Sequence, residues 1–154
     1  MKRLAEYFKE DVDKWGLTGL LHDVDYEKTK ENPEKHGLIS IEILNGMVDD
    51  EILNAIKCHN EMLGFERNTL IDKALFCTDQ LSGLIVASTL VLPSKKINDL
   101  TVDSILKKFR EKSFAKGAKR ENILLCENDL NIKLEEFISM ALEAMQKVSN
   151  MIGL

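Results

Sequence analysis

The stretch from about Asn68 to Val91 constrains this chain most. It reads as one long helix, stopped by Pro93, and its second half is apolar nearly all round, the pattern of a central, buried element. Asp79 stands in the middle of it. On ideal helix geometry Leu75, Val86, Leu90, Asp72 and Gly83 all point within about 40° of its direction. An ionised carboxylate in such surroundings is costly unless it is paired or ligates a metal, so Asp79 is expected to have a partner.

The helices before it carry the candidates. Residues 2 to 9 place Leu4, Tyr7 and Phe8 at helical spacing, and a second helix runs from an Asp11 N-cap through Trp15, Leu17, Leu20 and Leu21. It ends in the pair His22-Asp23. His22 lies within about 20° of Trp15 and about 40° of Thr18, with Gly19 about 60° away, so it is expected to point inward. Residues 25 to 33 are polar and charged and end a loop at Asn32-Pro33. The spacing predicts a helix over Glu34–Met47, with His36 on one stripe with Ser40, Ile43 and Met47. Asp49 or Asp50 caps a further helix whose inner positions are Ile52, Ala55, Ile56 and His59. The C-terminal third continues in the same way, with patterns at Val102-Ile105-Leu106-Phe109, Ile123 to Cys126 and Leu134 to Ile152. Alternation of the strand type is absent, so the expected fold is all-α, a single domain and bundle of about seven to eight helices.

Composition bounds the function. The 154 residues carry 44% hydrophobic side chains, enough for a proper core, and a net charge of −5 that repels a nucleic-acid backbone, so nucleic acid is not an expected partner. The three cysteines, Cys58, Cys77 and Cys126, include no Cys-x-x-Cys pair, which fits a reducing cytosol and speaks against a thiolate zinc site. No signal peptide opens the chain. The longest apolar stretch, Leu81 to Leu92, falls short of the roughly 20 residues of a membrane span. The expectation is a soluble cytoplasmic protein without a membrane partner, for which a homodimer is one of the assemblies allowed.

All three histidines of the chain thus fall on inward stripes of three successive helices, alongside Asp23 and Asp79. A satisfied core histidine is the plain alternative at each position, and the recurrence makes a metal site an equal reading rather than a remote one. Imidazole and carboxylate together suit a divalent transition ion, manganese, iron, cobalt, nickel or zinc, with positions left for water.

The order His22-Asp23, His36, His59, Asp79 resembles the HD-domain superfamily of metal-dependent phosphohydrolases, specifically its small HDIG-type members. The similarity includes Trp15 to Glu27 (WGLTGLLHDVDYE), Asp79 to Leu92 (DQLSGLIVASTLVL) and Ser94 to Lys119 (SKKINDLTVDSILKKFREKSFAKGAK). The resemblance implies a helical domain whose ligands converge on one or two ions. His22, Asp23 and Asp79 would hold the first, and Asp23 would bridge to a second held by His36 and His59. It implies hydrolysis of a phosphate ester of a nucleotide or another small phosphorylated metabolite. The family's pattern begins with a further histidine on the preceding helix, and residues 1–21 contain none. An upstream start, a shortened helix and a lost ligand all fit that departure. A non-catalytic module binding a nucleotide or a protein partner is the alternative it raises.

Asp25 and Glu27, just past the pair, are expected to support a ligand from behind, to act as a general acid or base, or to belong to a solvated loop, the last reading applying above all to Glu27. Lys73 is expected as an exposed helix lysine, or else as a partner of a carboxylate or of substrate phosphate. The basic run Lys107, Lys108, Arg110, Lys112, Lys116, Lys119 and Arg120 reads as a solvated face, or else as an attractor of phosphorylated substrate. Met140, Met145 and Met151 read as packing residues.

Overall fold

The computed structural model describes residues 1–154 and is helical throughout, with ten α-helical segments, three 3-10 turns and no strand. The expected all-α class holds. The chain divides into two compact units, Met1–Phe76 and Cys77–Leu154. No helix is long and apolar enough to cross a membrane.

The first unit contains α1 (Lys2–Phe8), α2 (Val12–Leu21), α3 (Tyr26–Thr29), α4 (Leu38–Leu44), α5 (Asp50–His59) and the start of α6 (Leu70–Leu90). Lys9, at φ 60°, ends α1. Asp11 then caps α2 by accepting the amides of Asp13 and Lys14, both at 3.0 Å. These first two helices pack closely because Gly16 and Gly19 carry no side chain. A Cβ on Gly19 would lie 2.7 Å from Met1 Cγ, and one on Gly16 would run into the Lys2 side chain. Trp15 is buried nearby, its ring 6.1 Å from that of Phe8. Asp49 caps α5, whose buried Ile52 and Ile56 join Leu44 in a core onto which Leu21, Ile43, Val48 and Leu53 pack.

One element departs from the helical spacing. The helix expected over Glu34–Met47 covers only Leu38–Leu44; Pro33–Lys35 forms a 3-10 turn, and His36 is extended at φ −60°, ψ 132°. The cause is Gly37, whose φ of 87° belongs to the left-handed region where helical register is lost. His36 therefore shares no helical stripe with Ser40, and Met47 is exposed to solvent.

The second unit holds the rest of α6 with α7 (Val102–Arg110), α8 (Arg120–Asp129), α9 (Leu134–Lys147) and α10 (Ser149–Ile152). Thr101 caps α7, and both α7 and α8 pack on α9. The helix expected over Leu134–Ile152 breaks at Val148, which leaves the helical region at φ −112°, ψ 13°. Met140 is a core residue as expected, whereas Met151 is exposed. Arg120 occupies neither of the roles read for the basic run. Its guanidinium donates to the carbonyls of Phe114 and Ala118 at 2.6 Å, Ala115 at 2.8 Å, and Phe109 and Lys108 at 3.2 Å, pinning the turn after α7.

Candidate metal centre

The chain places His22, Asp23, His36 and His59 together at the ends of short elements of the first unit. His22 follows directly on α2, its amide still bonded to the Thr18 carbonyl, so the helix sets the direction of its ring. His59 is the last residue of α5 and is buried. His36 is brought in by the turn rather than by a helix. Asn60 fixes that turn, donating from Nδ2 to the carbonyls of Pro33 at 2.8 Å and His36 at 2.9 Å.

The polar atoms converge on Asp23, whose two oxygens face different rings. Oδ2 lies 3.5 Å from Nε2 of His22, while Oδ1 lies 3.2 Å from Nε2 of His36 and 3.7 Å from Nε2 of His59. The Nε2 atoms of His36 and His59 are themselves 2.9 Å apart. Ligand atoms of His22, Asp23 and His59 all lie within 4.8 Å of one another.

Whether this set fits a divalent ion follows from the other side of each ring. Nδ1 of His22 lies 2.9 Å from the Gly19 carbonyl, Nδ1 of His59 bonds the Ile56 carbonyl, and Nδ1 of His36 lies 2.8 Å from Asp25 Oδ1. A carbonyl or an ionised carboxylate offers no proton, so in each pair Nδ1 is the donor and the neutral ring turns a bare Nε2 inward. Two such lone pairs at 2.9 Å repel unless a cation or a proton lies between them. Donors about 2.1 Å from a common ion stand about 3.0 to 3.7 Å apart when they subtend angles of about 90° to 120°. The donor set fits.

Electrostatics agree. Partial burial pushes the Asp23 carboxyl up, but in the acid range, where the rings are protonated on both nitrogens, hydrogen bonds from His36 and His59 and the charge of His22 outweigh it and hold it well below the usual carboxylate range. His36 is raised above the ordinary imidazole value, chiefly by its hydrogen bond to Asp23 and further by Asp25, against an opposing contribution from burial.

The remaining expected residues are placed otherwise. Asp25, read from sequence as a support for a ligand, as a general acid or base or as part of a solvated loop, is not solvated: its exposure is 0%, and its carboxylate accepts from His36 Nδ1, from the Gly37 amide at 2.8 Å and from the Ser40 amide at 2.9 Å. Burial raises its pKa, yet the Gly37 and Ser40 hydrogen bonds bring it below the ordinary range. Asp79 belongs to the second unit and is half-buried rather than buried; Gln80 Nε2 donates to its Oδ2 at 2.9 Å. Gln80 Oε1 in turn accepts the Lys119 amide at 3.0 Å, tying this side chain to the end of the turn that Arg120 holds. A cavity of about 380 Å³ opens there between Asp79, Gly83, Ala115 and Gly117. The fully buried carboxylate of α6 is Asp72, which accepts from Asn54 Nδ2 at 3.1 Å and the Thr69 amide at 3.0 Å. In the first unit, a second cavity of about 370 Å³ lies against His36, with Tyr26, Lys30, Pro33 and Asn60 on its walls. Sequence reasoning did not single out Asn60 or Thr29, although Asn60 directly follows His59.

A family model described as HD domain matches residues 1–84, more than half of the chain and a span that includes all five expected ligands. No curated protein and no solved structure matches the chain.

Proposed function

The chain belongs to the HD-domain family, and from that premise we propose that it is a metal-dependent phosphohydrolase acting on a phosphate ester of a nucleotide or another small phosphorylated metabolite. The observation that carries this reading is the division of labour at Asp23, with one oxygen toward His22 and the other toward His36 and His59. With its oxygens so divided, Asp23 would be able to serve two ions. Asp23 and His22 would hold one ion, and Asp23, His36 and His59 a second.

When bound, a divalent ion supplies a Lewis acid for the phosphoryl oxygens and acidifies water toward neutral pH. The residues supply the rest. Asp23 stays ionised at neutral pH because its pKa is held low, so it offers charge without first releasing a proton. The bare Nε2 atoms of the three rings are kept in place by acceptors behind them, which limits the reorganisation the site needs. The cavity beside His36 has Lys30 as its one charged wall residue besides the histidine and can receive the non-reacting part of an anionic ester.

The test is turnover of a broad phosphate-ester panel by metal-loaded protein and by Asp23→Ala. Hydrolysis that Asp23→Ala abolishes, with helicity intact, is expected, and undiminished activity in the variant removes the assignment. The second reading is a non-catalytic module that binds a nucleotide or protein partner. The absence of histidine from residues 1–21 favours it, and nucleotide binding without turnover by metal-loaded protein would establish it.

A further inference from the structure

The three rings of the centre are held from behind by acceptors of two kinds. His22 and His59 use backbone carbonyls three residues earlier, at Gly19 and Ile56, which the helix provides without any side chain. His36 has no helix behind it, since Gly37 breaks the register, and it uses the carboxylate of Asp25 instead. The same carboxylate serves α4. That helix begins at Gly37, which has no side chain to accept its first-turn amides, and Asp25 Oδ2 accepts those of Gly37 and Ser40. Thr29 closes the loop locally, its hydroxyl donating to the Asp25 carbonyl at 3.0 Å.

The geometry points to Asp25 as a positioning residue that fixes the tautomer and direction of the His36 ring while capping α4, and not as a group that meets substrate. Each part follows from a contact. Its exposure of 0% keeps the carboxylate from solvent and from any ligand in the adjacent cavity, whose walls do not include it. An ionised carboxylate has no proton to give, so the His36–Asp25 bond requires the proton on Nδ1 and leaves Nε2 bare toward Asp23. The backbone of His36 cannot drift, because Asn60 holds its carbonyl. A single carboxylate therefore takes the place of the helical carbonyl that the other two histidines use.

The assignment of His36 as a ligand rests on the proposed function; the assignment of its tautomer does not. Asp25→Asn separates them because it preserves shape and reverses one donor. The amide oxygen continues to accept from Gly37 and Ser40, since the opposite orientation would set its NH₂ against two amide donors. The NH₂ then faces Nδ1, which must become the acceptor. The proton moves to Nε2, into the centre.

The experiment is ¹⁵N NMR of the imidazoles in metal-free protein at alkaline pH, for the wild type and Asp25→Asn, followed by calorimetric titration of both with Zn²⁺ alone. His36 is expected to be protonated on Nδ1 in the wild type and on Nε2 in the variant, while His22 and His59 keep their Nδ1 protons. Zinc affinity is expected to fall about 10- to 100-fold in Asp25→Asn. A wild-type His36 protonated on Nε2 would overturn the assignment, even if the variant fails to fold, and so would an unchanged tautomer in a folded Asp25→Asn. A reversed tautomer with no zinc bound by either protein would uphold the role of Asp25 and remove the metal reading instead.

Discussion

His36 Nε2 lies 2.9 Å from His59 Nε2, with both rings already committed to acceptors through Nδ1. In metal-free protein below the folded pKa of His36, a second proton on its Nε2 separates them; Asp23 favours that proton and so raises the folded pKa above the ordinary value, and at alkaline pH it leaves while the Nδ1 proton stays. A raised imidazole pKa contributes stability that is fully present below the unfolded value of about 6.5 and is lost as pH rises through the folded value. Chelated protein should therefore lose stability as pH rises above about 6.5 and through the raised folded value, whereas zinc, which competes with that proton, should bind more tightly over the same window. Urea midpoints measured with and without zinc check this. A flat profile in chelator would contradict it.

Gly37 is needed twice over. Its φ is 87°, and a Cβ there would approach the Ile56 carbonyl oxygen to 3.1 Å. Gly37→Ala is expected to cost about 1 to 3 kcal/mol, from left-handed backbone strain together with that contact. Because His36 is the preceding residue, zinc affinity should fall along with stability. A variant as stable as wild type in urea would show that the turn relaxes at no cost.

Arg120 spans carbonyls on both sides of one turn, and a lysine has no planar fork to do so. Arg120→Lys should lower stability by about 2 to 4 kcal/mol despite keeping the charge. Substituting Lys107, Lys108 and Arg110 together should leave stability within about 1 kcal/mol, since only Lys108 has an ion pair, a partly exposed one to Glu111. Thermal unfolding of the two variants separates a structural arginine from the charges around it.

Much of this was legible in the residues. The Asp11 and Asp49 caps bracket two helices where the spacing put them, and the stripe Ile52, Ala55, Ile56, His59 is the buried face of α5. His36 was legible as a site residue and illegible as a conformation. Helical spacing in Ser40 and Ile43 extends backward through Gly37 without any sign that its φ is positive; the glycine itself was the available signal. Asp25 was hidden by its neighbours, because residues 25 to 33 are polar on average and their two buried members, Asp25 and Thr29, are themselves polar and leave no apolar mark. Its partners are eleven to fifteen residues away, at His36, Gly37 and Ser40. On α6 the stripe that Asp79 shares is buried at Asp72 and Leu75 but exposed at Gly83 and Leu90, because depth depends on tertiary packing and not on helical direction alone. Asp72 rather than Asp79 is the fully buried acid, and its reason is local, the capping of the first turn through Asn68 and Thr69.

The most direct test is elemental analysis of protein purified without chelator, beside Asp23→Ala prepared in the same way. Asp23 touches all three histidines, so its loss should remove every ion that depends on bridging. Stoichiometric transition metal is expected in the wild type and essentially none in Asp23→Ala, with helicity unchanged. Wild-type protein that holds no metal even after incubation with manganese, iron or zinc would contradict it, as would equal metal content in the two proteins.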